Sequence, residues 1–289
     1  MKNSLEYLAF VAFSTFFRIL GLNNARKFAR YMAKFFFYVI PIRKEVVLEN
    51  LRKAFPDLSA ESINEIAFGT YLNFSLTLVE ILTIPFLSDN QMRSMLTLKN
   101  PELFHEKYSE GKGVIVLSAH FSNWEIGAMM LSYLVNTPFY VVAKPQRNTL
   151  VDAWMNKMRT RYNNVIVPLG VSIRNIFVTL KEKKVAALVA DQRGPIDGPR
   201  VKFLGIDTAS FAGPAALALK TDAVILYAIA IRNENLNYDT EFVEIDKSNL
   251  SGSFDDQVLE LTQRHYNYLE SIVKKYPSQW FWMHKRWKY

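Results

Sequence analysis

The sequence predicts an α/β fold: a mostly parallel central sheet flanked by helices, with an N-terminal membrane-anchoring helical segment. Three observations carry this. After Pro101, short β-branched runs alternate with stretches of helical periodicity, the pattern of a parallel sheet covered by helices. Residues 43–100 read as helices alone. The first forty residues are crowded with aromatics, Phe13, Phe16, Phe28 and Phe35 among them, set between Lys and Arg as at a lipid interface.

From the N-terminus, Leu5 to Leu20 reads LEYLAFVAFSTFFRIL, interrupted by Glu6 and Arg18. Its uncharged run, Tyr7 to Phe17, is shorter than the ~20 residues that span a bilayer. A second apolar run, Phe35 to Ile42, is flanked by Arg30, Lys34, Arg43 and Lys44. Gly21-Leu22-Asn23-Asn24 is a poor cleavage site for a signal peptide. An uncleaved anchor in the cytoplasmic leaflet is therefore preferred to a tilted span or to ordinary core helices, and the basic flanks put the bulk of the chain on the cytoplasmic side. The expected organisation is a hydrophobic anchor at 1–42, a helical segment at 43–100, and an α/β domain at 101–289 against which that segment packs.

RKEVVLENLRKAF has helical spacing and is closed by Pro56. Ser59-Ala60-Glu61-Ser62 then starts a long helix through Leu82, apolar on more than one face. In the second half, strands are expected at VIVLSAH (114–120), 139–143, VIVPL (165–169), VAALVAD (185–191), AVILYAIAIR (223–232) and 241–245. Helices are expected at 123–134, 150–162, 172–184, 213–221 and 255–275. Two strands end on chemistry-bearing residues, His120 and Asp191, and the carboxyl ends of parallel strands are where such sheets gather their chemistry.

Composition narrows the function. With half its residues hydrophobic and 21% charged, the chain is no disordered protein. The absence of cysteine excludes disulfides, thiolate metal sites and Cys nucleophiles. The net charge of +8 suits nucleic acid, an anionic membrane face or an acidic partner protein, and the lipid-like N-terminus argues against nucleic acid.

The stretch Ser118-Ala119-His120-Phe121-Ser122-Asn123-Trp124-Glu125 holds a His and a Glu five apart. Five helical residues rotate a side chain by about 500°, so the pair could not meet on one helix. With His120 in a strand-to-helix turn, capped by Ser122 or Asn123, Glu125 falls in the first helical turn, where the dipole keeps it ionised. It could then orient His120 and stabilise the imidazolium, the arrangement of a general base. There is no Gly-x-Ser-x-Gly elbow for an acyl-enzyme and no pair of His at i and i+4 for zinc, so no metal or cofactor is expected. On spacing alone, a structural His at a strand end is the better explanation of the motif.

SAHFSNWE resembles the His-x4-Asp/Glu block of the glycerolipid and lysophospholipid acyltransferase superfamily. More closely, the whole chain is similar to the bacterial lipid A late acyltransferases of the lauroyl/myristoyl type, through VVLENLRKAFP, AKPQRNTLVDAWMNKMRTR, ADQRGPIDGPRVKFLGIDTAS, PAALALKTDAVILYAIAIR and PSQWFWMHKRW in order. The resemblance implies a membrane-bound O-acyltransferase domain at the bacterial inner membrane, facing the cytoplasm. It would move a fatty acyl chain from an acyl carrier protein or CoA thioester to a hydroxyl of a lipid A precursor or similar glycolipid. His120 becomes the base, Glu125 its partner and Asp191 a further residue of the catalytic site. Arg159 and Arg161 match an Arg-x-Arg that could hold acceptor phosphate, and Lys144, Asn123, Gln192 and Arg193 are further candidates for substrate binding. An acidic carrier protein would suit the positive charge. Arg193 stands where an acidic or aromatic residue is more usual, which bears on the acceptor's identity rather than on the reaction class. The alternatives are an acyltransferase for another polar lipid, such as a lysophospholipid or ornithine-type lipid, and a catalytically silent lipid-binding membrane protein.

Overall fold

β2 (Val114–Ser118) lies near the middle of a six-stranded sheet, and four successive residues of it, Val114 to Leu117, are buried. An unbroken apolar strand needs cover on both faces. In this computed structural model, which describes residues 2–170 and 172–288, the cover comes from helices. β2 pairs in parallel with β5 (Val185–Val189) and β8 (Val224–Ala228). β3 (Phe139–Ala143) extends the sheet in parallel from β5, and β4 (Val165–Pro168) from β3. β11 (Phe242–Glu244) closes the other edge antiparallel to β8, so the sheet is mostly parallel, as expected.

The pleat sorts the core. Ile115 and Leu117 join Ile176, Ala215, Leu261 and Tyr266 on one face, beneath α8 (Ser172–Lys181), α9 (Gly213–Thr221) and α10 (Phe254–Lys275). Val114 and Val116 join Phe104, Leu131 and Phe139 on the other, beneath α5 (Pro101–Ser109) and α6 (Trp124–Leu134). Each such side chain, fully buried, contributes roughly 1.5–3 kcal/mol. α7 (Thr149–Arg159) lies beside α6 over a separate cluster containing Met129, Met130, Met155 and Met158.

The segment before the sheet is built on α3 (Ala60–Thr83), whose N-cap Ser59 accepts from the Ser62 N–H. α1 (Lys2–Lys34) lays Phe17, Ala25 and Ala29 against Leu76, Val79 and Leu82 of α3. It is two helices joined at Gly21, where φ 71° and ψ 159° are open only to glycine and no neighbour would crowd a side chain. A π-helical turn (Phe35–Val39) leads to α2 (Lys44–Ala54). Arg26 of α1 donates to buried Glu80 of α3 (2.8 Å), which also takes Arg232 (2.6 Å), Asn123 (3.0 Å) and Tyr238. Burial opposes charge on Glu80, but the two guanidiniums hold its carboxyl below the usual range. Removing one partner from such a buried group costs about 3–5 kcal/mol.

Two expectations need correction. The helix-only segment 43–100 ends, after α4 (Asp89–Met95), in β1 (Leu96–Leu98), which pairs with β10 (Tyr238–Thr240) in a small second sheet. The single strand expected at 223–232 breaks after Ala228. Its last part, β9 (Ile231–Arg232), joins that small sheet and takes Arg232 out to Glu80. Between β5 and α9 the chain adds a hairpin, β6 (Arg200–Phe203) with β7 (Ile206–Ala209). Trp280 and Trp282 are buried in the core.

Candidate active site

His120 and Asp191 meet because of register. Ser118, the last residue of β2, pairs with Val189, the last of β5, and each chain then runs two residues on. The His120 Nδ1–H donates to Asp191 Oδ1 at 2.7 Å, and the His120 backbone N–H donates to Oδ2 at 2.9 Å. The indole N–H of Trp280 also donates to Oδ2, at 2.8 Å. Burial would raise the Asp191 carboxyl, but the His120 charge and these hydrogen bonds hold it below the usual range. An ionised carboxylate on Nδ1 fixes the tautomer, leaving Nε2 as the basic nitrogen. Burial also opposes the imidazolium, but Asp191 outweighs it and Glu125 adds to it, so the ring titrates above its ordinary 6.5.

The side chain of His120 remains 23% exposed, against 2% for Asp191, so the ring reaches solvent and its carboxylate partner does not. Trp124 stands edge-on to the ring at 5.1 Å and Phe281 lies 6.3 Å away, framing a small crevice that Asn73, Phe74, Ser122 and Gln279 complete. The Gln192 amide nitrogen is 3.4 Å from His120 Nε2.

The turn after His120 folds as the sequence suggested, but Glu125 does not reach the ring. Ser122 adopts φ 45°, and Asn123 caps α6 by accepting from the Ile126 N–H at 3.2 Å. Glu125, in the first turn of α6, faces α7 instead and takes Arg159 through two hydrogen bonds of 2.8 and 2.6 Å. The pair is buried, and Glu125 holds the Arg159 guanidinium above its usual range despite burial. The direct partner of His120 is thus Asp191, and Glu125 acts on it only through space.

The two expected phosphate holders are otherwise engaged. Arg159 closes α7 on Glu125, and Arg161, two residues on, donates to the Ile84 and Leu87 carbonyls and to Asp89 (3.2, 2.7 and 2.7 Å). Asn123 is a buried cap whose amide serves Glu80. Lys144 stands exposed just past β3, on the sheet edge that carries His120. Arg193, next to Gln192, donates its backbone N–H to His284 Nε2 (3.3 Å) and its guanidinium to the Lys285 carbonyl (3.4 Å).

Sequence reasoning missed Gln279, Trp280 and Phe281, which come after α10, at the end of a short 3-10 turn (Pro277–Gln279), and return to the catalytic turn. The signal available was PSQWFWMHKRW, a conspicuous aromatic block with no assigned role. It also missed Glu80, a carboxylate in the apolar C-terminal half of α3.

A histidine held by a carboxylate at the ends of two parallel strands has the geometry that general-base chemistry requires, and the Ser122 hydroxyl is turned to Gln279 (2.5 Å). The family profile described as bacterial lipid A biosynthesis acyltransferase matches residues 3–289, and the chain belongs to that family. It is 20% identical over 248 residues to the lipid A biosynthesis palmitoleoyltransferase of Escherichia coli (strain K12), covering 85% of this chain and 79% of that one. The lipid A biosynthesis acyltransferase of Shigella flexneri matches to the same extent. The phosphatidylinositol mannoside acyltransferase of Mycolicibacterium smegmatis (strain ATCC 700084 / mc(2)155) is 23% identical over 213 residues, 72% of this chain and 67% of that one. Family and relatives are acyltransferases, and so is this protein.

Proposed function

We propose that the protein is a membrane-bound O-acyltransferase that moves a fatty acyl chain from an acyl carrier protein or CoA thioester to a hydroxyl of a lipid A precursor or similar glycolipid. The carrying observation is the 2.7 Å contact between His120 and Asp191, which leaves Nε2 as the basic nitrogen of a ring that lines the crevice. Nε2 takes the proton of the acceptor hydroxyl as its oxygen bonds to the thioester carbonyl carbon. The tetrahedral intermediate collapses, the C–S bond breaks, and the leaving thiolate takes the proton from the imidazolium. Asp191 orients the ring and stabilises its charged form, with Glu125 adding to that charge stabilisation. An acidic carrier protein would be steered by the net charge of +8.

Membrane attachment is supported by α1. Asn3–Val39 and Ala60–Phe86 are both long and apolar enough to cross a bilayer, but the most apolar window of the first is only 11% buried against 56% for the second. α1 exposes Leu5, Leu8, Phe13, Ile19 and Tyr31. Its N-terminal half docks on the His120 edge of the sheet, where Asn148, just beyond β3, donates to the Asn3 carbonyl (2.8 Å) and Phe10 meets Trp154. The reading is an in-plane anchor on the cytoplasmic face of the inner membrane, presenting the crevice to lipid. Similarity to a phosphatidylinositol mannoside acyltransferase favours, as a second reading, another polar-lipid acceptor.

In a purified assay, His120→Ala should lower kcat by about 10²–10⁴-fold without loss of fold or membrane binding. Activity within about tenfold of the parent would remove His120 as the base. Mass spectrometry of total lipid with and without the protein identifies the acceptor by the lipid pool that loses a chain.

A further inference from the structure

The Asp191 carboxylate accepts from two donors on Oδ2, the His120 backbone N–H and the Trp280 indole, leaving Oδ1 to the imidazole. Trp280 is 3% exposed and packed among Phe203, Trp282 and Trp287. Its two neighbours grip the same turn. The Phe281 N–H donates to the His120 carbonyl at 2.9 Å, and the Gln279 carbonyl accepts from the Ser122 N–H at 2.8 Å. The Gln279 side chain is itself fixed, accepting from Ser122 and the Arg232 N–H (2.5 and 2.9 Å) and donating to the Arg232 carbonyl (2.9 Å). Three consecutive residues thus hold His120 from the main chain on one side and from its carboxylate on the other.

We propose that Trp280 is a positioning residue for acyl transfer: its indole N–H fixes the Asp191 carboxylate and, through it, the orientation and tautomer of the His120 ring. The inference rests on the reading of His120 as the base. A carboxylate on a single-methylene stem can rotate, and a second donor on Oδ2 removes that freedom before substrate arrives. The same hydrogen bond draws part of the carboxylate's charge away from the ring. Asp191, Glu125 and His284 are the groups felt around the ring, and Tyr227, Tyr266 and His284 are felt around the carboxylate. Removing the indole donor concentrates negative charge on the imidazolium side, so the ring should hold its proton to higher pH.

The test replaces residue 280 with β-(3-benzothienyl)alanine, which keeps the ring shape and lacks the N–H, alongside Trp280→Phe. The benzothienyl protein should keep its Tm and its KM for the thioester, lose about 10–100-fold in kcat, and show the acid limb of kcat/KM moved to higher pH. Added to Asp191→Asn, the same replacement should change kcat by no more than about twofold, because both act through one carboxylate. A folded benzothienyl protein with parental kcat and an unmoved acid limb would overturn the proposal. So would a loss of Tm with normal kcat in the folded fraction, which marks Trp280 as packing alone. An active His120→Ala protein would strike instead at the reading of the base.

Discussion

Burial acts on both His120, 23% exposed, and His265, 2% exposed, yet the two rings behave as opposites. Around His265, on α10, only burial acts. The ring is 2% exposed, its Nε2 has no hydrogen-bond partner among the described residues, and its titration is pushed down to about 3. Around His120 burial acts too, but Asp191 reverses it and Glu125 adds to the reversal. A carboxylate, not a hydrophobic setting, separates a ring whose titration is raised from one whose titration is lowered. That carboxylate was delivered by strand pairing, since Asp191 and His120 each lie two residues past the Ser118–Val189 pair.

The sharpest way to break the contrast is to make the first histidine resemble the second. Asp191→Asn removes the charge and can donate an amide N–H to Nδ1, moving the ring proton to Nε2 and taking away the base. We expect kcat to fall about 10²–10³-fold. The sign of the pH effect comes from the raised value in the parent, where kcat/KM climbs as His120 deprotonates above its ordinary 6.5. With the carboxylate neutralised, burial is opposed only by Glu125, so the residual activity should show its acid limb at lower pH. Profiles of kcat/KM between about pH 5 and 9 decide this, and an unmoved limb would mean that Asp191 does not set the ring's titration.

Glu125 tests the weaker arm of the same contrast. Glu125→Gln should lower the acid limb in the same direction but by less, with kcat/KM falling about tenfold, the equivalent of ~1.4 kcal/mol of lost imidazolium stabilisation. It should also lower Tm, because it leaves the buried Arg159 guanidinium without its charge partner. Combining it with Arg159→Met separates the two roles: stability should return while the acid limb stays low. Recovery of both together would make Glu125 a purely structural anchor for α7.

These contrasts also mark what the sequence could disclose. The central strands were legible because they are apolar and bounded, and so were the two strand ends carrying His120 and Asp191. That the two ends touch was not, because register between strands far apart in the chain leaves no local trace. Glu125 was misjudged for a related reason. Its place in the first turn of α6 was readable, but the direction it faces depends on where Arg159 of α7 comes to lie. Arg161 looked like Arg159 in sequence, yet Arg159 closes the helix and Arg161 lies past its end, so they serve different partners. Trp280 was visible as an aromatic, but its hydrogen bond crosses 89 residues. Glu80 and Arg232 likewise join residues 152 apart.

At the other histidine no effect on rate is expected, and the prediction concerns stability alone. His265 is neutral when folded, with a value of about 3, against an ordinary value of 6.5 once unfolded. A depressed histidine gives stability that is fully present above the unfolded value and lost as pH falls towards the folded one. At about pH 5 the unfolded chain binds this proton and the folded chain does not, which favours unfolding by about 2 kcal/mol. His265→Phe keeps a flat ring in the same core and removes that proton, so the variant should lose about 2 kcal/mol less than the parent between about pH 7.5 and 5. Reading the difference between the two pH values cancels any packing penalty common to both, and denaturant unfolding in detergent measures it. Acyl transfer at neutral pH should be unchanged, since His265 shares no hydrogen bond with Asp191 or His120 among the described residues. Equal acid sensitivity in parent and variant would show that His265 is charged when folded, and the opposition with His120 would fail on its inert side.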